Sequence, residues 1–234
     1  MKYAEILARL KASANPAAVA GMARYGINPK RTVYGISAPD LKRLARQIGT
    51  DHALARRLWA SGIHDARHIA ALIDDPEQVD QPQMEQWAAQ FDTWDICDGC
   101  CLNLFVRTPF AHRKAVQWAK RKEEFVKRAG FALMAQLAVH DKAAPDAKFQ
   151  RFLPIIIRES TDGRNYVKKG VNWALRQIGK RNLALNALAI DAAKQIRQMD
   201  SSSARWVAAD ALRELTGEAV QARLRLRREA LRDS

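Results

Sequence analysis

Apolar residues recur along most of the chain at the spacing of amphipathic helices, and stretches that alternate apolar and polar residues are not convincing. The pattern therefore predicts an almost entirely helical protein, with breakers such as Asn15-Pro16 between many of the helices. The one long irregular piece is expected at about residues 27–37. We predict helices over residues 2–13, 16–25, 38–48, 51–61, 64–73, 82–91, 93–105, 109–121, 123–139, 146–159, 164–180, 183–199, 203–216 and 218–231.

A weak internal repeat lies in the C-terminal half, with a period of roughly forty residues that is typical of stacked helix pairs of the HEAT kind. Residues 126–138, VKRAGFALMAQLA, align without gaps with residues 167–179, VKKGVNWALRQIG, and residues 204–217 continue the pattern. Coincidence among helices rich in Ala and Leu is the alternative. We predict an all-α fold of stacked antiparallel helix pairs that form a curved α-solenoid. No low-complexity linker divides the chain, so we expect a single domain over residues 1–234.

The charge balance is strongly basic, with 39 Lys and Arg against 25 Asp and Glu and a formal net charge of +14. This favours a polyanionic partner, nucleic acid ahead of a membrane surface, with net charge for solubility as the alternative. On stacked repeats the cations would line the concave face. No apolar run approaches the ~18 residues of a membrane span, and the charged N-terminus is unlike a signal peptide. We expect a cytoplasmic monomer that is nucleoid-associated when bound to DNA.

The segment at residues 91–101, FDTWDICDGCC, concentrates polar chemistry on one predicted helix. Asp92 as N-cap and Asp95 in a capping-box-like position would explain both acids without any function. Asp98 lies beyond the first turn, on the same stripe as Trp94, and is therefore an acid on an otherwise apolar face. Such a carboxylate is paired, protonated or functional, so a carboxylate satisfied by an Arg or by backbone amides remains the alternative to a catalytic one.

The cysteines and histidines do not predict a metal site. Cys97-x-x-Cys100-Cys101 has no second ligand pair at a usual spacing, so buried cysteines at a helix interface are expected. His64 and His68 are spaced i, i+4, but no Glu stands where a zinc-protease helix needs it. We therefore expect no metal and no cofactor.

A second group of polar chemistry lies on the predicted helix 164–180. Trp173 is off the apolar stripe of this helix and stands among cations. A large aromatic residue in such a place suits a surface that packs against a sugar or base while the cations take phosphates. A cation–π contact beneath a neighbouring helix is the alternative. The candidate DNA-binding cations, some of them at aligned positions of the repeat, are Lys127, Arg128, Lys168, Lys169, Arg176 and Lys180.

Four motifs follow one another along the chain: YGISAP at residues 34–39, WDICD at 94–98, KRA at 127–129 and NWALR at 172–176. Together they resemble the AlkD family of DNA alkylation repair glycosylases, over nearly the whole chain. The resemblance implies stacked HEAT-like repeats with a basic DNA face. It also implies a monofunctional glycosylase that hydrolyses the N-glycosidic bond of 3-methyladenine and 7-methylguanine in double-stranded DNA.

The resemblance also implies roles for particular residues. Trp94 and Trp173 would flank the deoxyribose of the lesion, and Asp98 would stabilise its oxocarbenium-like cation and hold the attacking water. Arg128 would contact the backbone phosphate near the lesion. These roles agree with the strength of carboxylate–cation attraction on a low-dielectric face and with the preference of cations for tryptophan rings.

The chain departs from the family pattern at one point, because Gly21 stands where the family has an active-site tyrosine. Tyr25 and Tyr34 are candidates to take its place in space. Two other functions remain as alternatives. One is a non-catalytic HEAT-like paralogue that recognises damaged or branched DNA, and the other is a protein-binding scaffold, which would leave the basic charge unexplained.

Overall fold

The computed structural model describes residues 1–230, and this part of the chain contains helices and no β-strand. Its contacts divide the chain into two compact units, unit 1 at Met1–Phe110 and unit 2 from Ala111 onward. The single domain over residues 1–234 stays a prediction, and residues 231–234 lie outside the described part. None of the helices in residues 1–230 is both long and apolar enough to cross a membrane.

Unit 1 is built from helices that begin and end close to the predicted positions. They are α1 (Tyr3–Ala12), α2 (Pro16–Met22), α3 (Ala38–Ile48), α4 (His52–Ala60), α5 (His64–Ile73), α6 (Gln81–Ala88) and α7 (Trp94–Asn103), with 3-10 turns at Ala23–Tyr25 and Phe105–Arg107. Residues 27–37 are irregular, as predicted. Buried Asp65 holds this segment by accepting the main-chain N–H groups of Tyr34 at 2.7 Å and Ile36 at 2.9 Å. Gly35 between them has a φ of +74°, which an L side chain rarely adopts.

The core of unit 1 fixes α5 through a buried arginine and two stacked tryptophans. Trp59 and Trp87 stack with ring centroids 4.0 Å apart. Arg67 is 1% exposed and lies over the Trp59 ring at 4.8 Å. Its guanidinium donates to the main-chain and side-chain oxygens of Gln90 at 3.1 and 2.9 Å, which compensates part of the cost of burying the charge, while Nε has no hydrogen-bond partner among the described residues. As a result, α5 is held against α4 and the segment that follows α6.

Unit 2 contains α8 (Ala111–Trp118), α9 (Glu124–His140), α10 (Asp146–Gln150), α11 (Leu153–Glu159), α12 (Asn165–Gly179), α13 (Leu183–Arg197), α14 (Ser202–Leu215) and α15 (Glu218–Ala230). Residue 231 of the last predicted helix lies outside the described part. The prediction of one helix over 146–159 is wrong, because the chain forms α10 and α11 there. Pro154 lies in the first turn of α11, where its missing N–H costs nothing. Inside a continuous helix its ring would clash with the carbonyl of Gln150.

The predicted repeat of helix pairs is confirmed in unit 2. The aligned helices α9, α12 and α14 pack one after another, and α8 and α13 pack against α9 and α14. Contacts recur at the same spacing of 38 residues: Arg128 donates to the carbonyl of Tyr166 at 2.7 Å, and Asn172 donates to Asp210 at 2.6 Å. Gly130 allows α8 to approach α9 closely, because a Cβ there would lie 2.3 Å from the main-chain nitrogen of Ala119, the residue that follows α8.

Candidate functional site

Helix α7 places Trp94 and Asp98 one turn apart in unit 1. The helix begins at Trp94, and both side chains are half-buried. The indole N–H of Trp94 donates to the main-chain carbonyl of Tyr25 at 2.9 Å. This bond fixes the tryptophan against the 3-10 turn that follows α2. Since residues one turn apart share a helix face, the aromatic ring and the carboxylate of Asp98 form a single candidate site.

The capping interpretation of Asp92 and Asp95 is wrong. The N-cap position of α7 is Thr93, which makes no side-chain capping bond. Asp92 instead lies 3.8 Å from Arg31. A capping carboxylate accepts a hydrogen bond from a main-chain N–H group at the start of its own helix. Asp95 instead accepts hydrogen bonds from two side chains of α5.

Those donors are His64 and His68, which the sequence pattern did not connect with Asp95. Oδ2 of Asp95 lies 2.8 Å from Nε2 of His64 and 3.0 Å from Nε2 of His68. Burial alone would raise the pKa of Asp95, but the hydrogen bonds and charges of the two imidazoles outweigh it and hold the pKa well below its usual range. The i, i+4 spacing of the histidines was the visible signal, and their partner came from another helix.

These residues border a cleft of about 910 Å³ in unit 1, here called the His–Asp cleft. His64, His68 and Asp95 form one part of its wall, and α1, α2, α3 and the Gly35–Ser37 segment supply the rest. Tyr25 also lines the cleft, with 74% of its surface exposed. Tyr25, one of the two tyrosines proposed to replace the family residue at Gly21, contacts Trp94 through its main-chain carbonyl group.

The cysteines behave as the sequence predicts. Cys97, Cys100 and Cys101 are buried on α7 and form no disulfide bond among the described residues. Burial raises the pKa of the Cys100 thiol well above its usual range, because the low-dielectric interior disfavours the thiolate. A protonated, buried thiol is a poor nucleophile, so Cys100 is suited to packing.

In unit 2, α12 presents Trp173 half-buried and Lys169 exposed. The other two cations near this tryptophan are held by acids of α14. Arg176 and Lys180 both bind Glu214, and Arg176 also lies 3.7 Å from Asp210. Their charges are thus largely matched within the protein, whereas Lys169 lies on the surface.

The remaining candidate cations lie on α9 and α12. Lys127 is nearly buried and binds Glu159 as well as Asp162, the latter at 2.9 Å. Arg128 is also nearly buried. Lys168 lies over the exposed ring of Trp206, with its amine 4.9 Å from the ring centroid. DNA binding by these residues stays a prediction. The structure adds that the amine of Lys127 forms ion pairs with two carboxylates of unit 2.

Comparison with known proteins places the fold. The family model described as DNA alkylation repair enzyme matches residues 6–215. One similar solved structure is described as representing a new family of proteins related to the HEAT-like repeat DNA glycosylases with affinity for branched DNA structures. It matches with a TM-score of 0.76 and 18% identity, over 92% of this chain and 96% of that chain. This likeness confirms the predicted all-α, HEAT-like fold.

Weaker likenesses to two other solved structures were also found. An engineered protein matches with a TM-score of 0.39 over 75% of this chain and 90% of its own. A designed armadillo repeat protein matches with a TM-score of 0.37 over 75% of this chain and 92% of its own. Both are 14% identical to the chain. None of the curated proteins compared with the chain matches it significantly.

Proposed function

The chain belongs to the DNA alkylation repair enzyme family, and on that premise we propose that it is a monofunctional DNA glycosylase. Its substrates are 3-methyladenine and 7-methylguanine in duplex DNA, released by hydrolysis of the N-glycosidic bond. The observation that carries the proposal is the pair of Trp94 and Asp98, one turn apart and half-buried on α7. An aromatic face beside a carboxylate is suited to a sugar that becomes cationic.

Asp98 supplies the negative charge of this mechanism. When the bond between the sugar C1′ and the base breaks, its electron pair leaves with the base, and the sugar becomes an oxocarbenium-like cation. A base that carries a formal positive charge leaves as a neutral molecule and needs no proton from a general acid. The carboxylate stabilises the cation and orients a water molecule, which adds to C1′ and gives up a proton to the carboxylate or to solvent.

Trp94 supplies an aromatic face for the same cation. Tryptophan is the best aromatic residue for a cation–π contact, worth roughly 0.5–2 kcal/mol. The ring is already oriented by the bond from its N–H to the carbonyl of Tyr25. Such preorganisation lowers the cost of placing the ring against the sugar in the transition state. The resemblance to the family assigns a second aromatic face to Trp173 of α12, and that role stays a prediction.

Duplex DNA is the proposed partner because the chain carries a formal charge of +14. In this proposal the cations of α12 that contact phosphates are Lys168 and exposed Lys169, because neither is paired with a carboxylate among the described residues. Cations that neutralise phosphates release counterions, so the affinity should fall steeply as the salt concentration rises. A protein scaffold would show no such dependence.

The direct test uses a duplex oligonucleotide with a single 7-methylguanine and follows the free base by chromatography. Asp98→Asn keeps the shape of the side chain but loses its charge, so we expect excision to fall by about 10²-fold or more while DNA binding is kept. The matched control is Glu77→Gln, an equivalent change at an exposed acid of unit 1, which should excise at the wild-type rate. Full activity in a folded Asp98→Asn variant would remove Asp98 from the mechanism.

A second function has one observation in its favour. The solved structure with a TM-score of 0.76 is described as having affinity for branched DNA structures. If this chain were such a binder, wild-type protein would release no base from methylated duplex and would bind a four-way junction at least tenfold more tightly than the matched duplex. Measurement of both quantities on one preparation separates the two functions.

A further inference from the structure

Three side chains with metal-ligating atoms meet in the wall of the His–Asp cleft. His64 and His68 lie on successive turns of α5, and Asp95 lies on α7. One possible ligand atom from each lies within 4.8 Å of the others. We propose that His64, His68 and Asp95 bind one divalent transition-metal ion, of the zinc or iron(II) class, at the edge of the cleft.

The geometry is that of a metal triad. Metal–nitrogen and metal–oxygen bonds of about 2.1 Å place neighbouring ligand atoms roughly 3 Å apart at the right angles of an octahedral site and roughly 3.4 Å apart at the tetrahedral angles of a zinc site. The two distances from Oδ2 of Asp95 to Nε2 of His64 and to Nε2 of His68 are 2.8 and 3.0 Å. Two histidines at i, i+4 on one helix face are a recurring way to present two imidazoles to one ion. Imidazole with carboxylate selects ions such as zinc and iron(II) over magnesium and calcium, which prefer oxygen ligands alone.

The hydrogen bonds of the cluster leave a reason for an ion. Both imidazoles address the same carboxylate oxygen, while Oδ1 of Asp95 is buried and has no hydrogen-bond partner among the described residues. A buried carboxylate oxygen without a partner is costly, and a cation beside the carboxylate would compensate it. On metal binding the Nε2 proton that each imidazole directs at Asp95 is lost, to Nδ1 or to solvent, and the freed Nε2 lone pair becomes the ligand.

Three protein ligands leave further coordination positions, which water would occupy from the cleft of about 910 Å³. The ion would also tie α5 to α7 beside Trp94, the residue that precedes Asp95. Binding of the ion requires no glycosylase activity. The proposal therefore stands or falls separately from the proposed function.

In the experiment, chelator-treated and dialysed protein is titrated with zinc, and binding is measured by calorimetry. Magnesium is the comparison ion, and the absorption of bound cobalt(II) is a second readout. We expect about one zinc per chain, no comparable magnesium binding, and a rise in the melting temperature with zinc. His68→Gln and Asp95→Asn should each weaken zinc binding by about tenfold or more, since even loss of an outer-shell partner costs 10–100-fold. His68 is partly exposed, so its replacement should leave the fold intact.

The matched control is His112→Gln. His112 pairs with Asp141 at 2.7 Å in unit 2 and has no place in the triad. The His112→Gln variant should bind zinc as the wild type does. Absence of saturable zinc binding by the wild type at about 100 μM would overturn the proposal. So would unchanged binding in both triad variants, or an equal loss in His112→Gln.

Discussion

Lys127→Ala tests whether this cation serves the interior of unit 2 instead of a DNA phosphate. Its amine contacts the carboxylates of Glu159 and Asp162, and the side chains of the three residues are 11%, 15% and 11% exposed. Removal of one member of a buried ion pair costs about 3–5 kcal/mol, because the remaining charge is left in a low-dielectric site. Arg164 still binds Asp162 at 2.6 Å, so we expect a loss near the lower limit, about 3 kcal/mol.

The assay is urea unfolding, with the transition of unit 2 followed if the two units unfold separately. A loss of this size should lower the melting temperature by roughly 6–12 °C for a chain of this length. Lys169→Ala is the matched control, because this lysine is exposed on α12 and its replacement should change stability by about 0.5 kcal/mol or less. Equal stability of the two variants would refute the reasoning. If Lys127 contacts a DNA phosphate instead, DNA binding by the Lys127→Ala variant should depend less steeply on salt concentration.

Three further outcomes follow from the same charges and from the proposed mechanism. Burial alone would raise the pKa values of Glu159 and Asp162, but hydrogen bonds from their cationic partners hold both below the usual range. Depressed carboxyl pKa values stabilise the folded state above pH ~4 and lose this contribution as the pH falls, so acid titration of unfolding should show the loss from about pH 5 downward. In DNA binding measured against salt, Lys169→Ala should make the log–log slope shallower by about one unit, and Lys180→Ala by less, since Glu214 already holds that amine. Neutral hypoxanthine should be released far more slowly than 7-methylguanine in matched duplexes, and Trp173→Ala should slow the release of 7-methylguanine; comparable rates for the two bases would contradict the mechanism.

The sequence by itself determined the local structure of this protein. Helix periodicity, breakers such as Asn15-Pro16, and the irregular segment at 27–37 depend on neighbouring residues, and the structure reproduces them within a few positions. The repeat of α9, α12 and α14 was also visible, because similar helices must present similar apolar faces to stack. One exception was the cap of α7, which is Thr93 and not Asp92. Another was the break at Pro154, where the local signal was present and the helical pattern on both sides outweighed it.

The tertiary structure alone decided which charged groups meet. Asp95 was assigned to a helix cap from its position, yet it accepts bonds from His64 and His68, which lie 31 and 27 residues earlier. From the sequence, Arg176 and Lys180 were predicted to bind phosphates. In the structure both bind Glu214 of α14, which lies 38 and 34 residues later in the chain. A cation's local pattern is the same whether its partner is a phosphate or a carboxylate. The choice depends on packing between helices, which neighbouring residues do not encode.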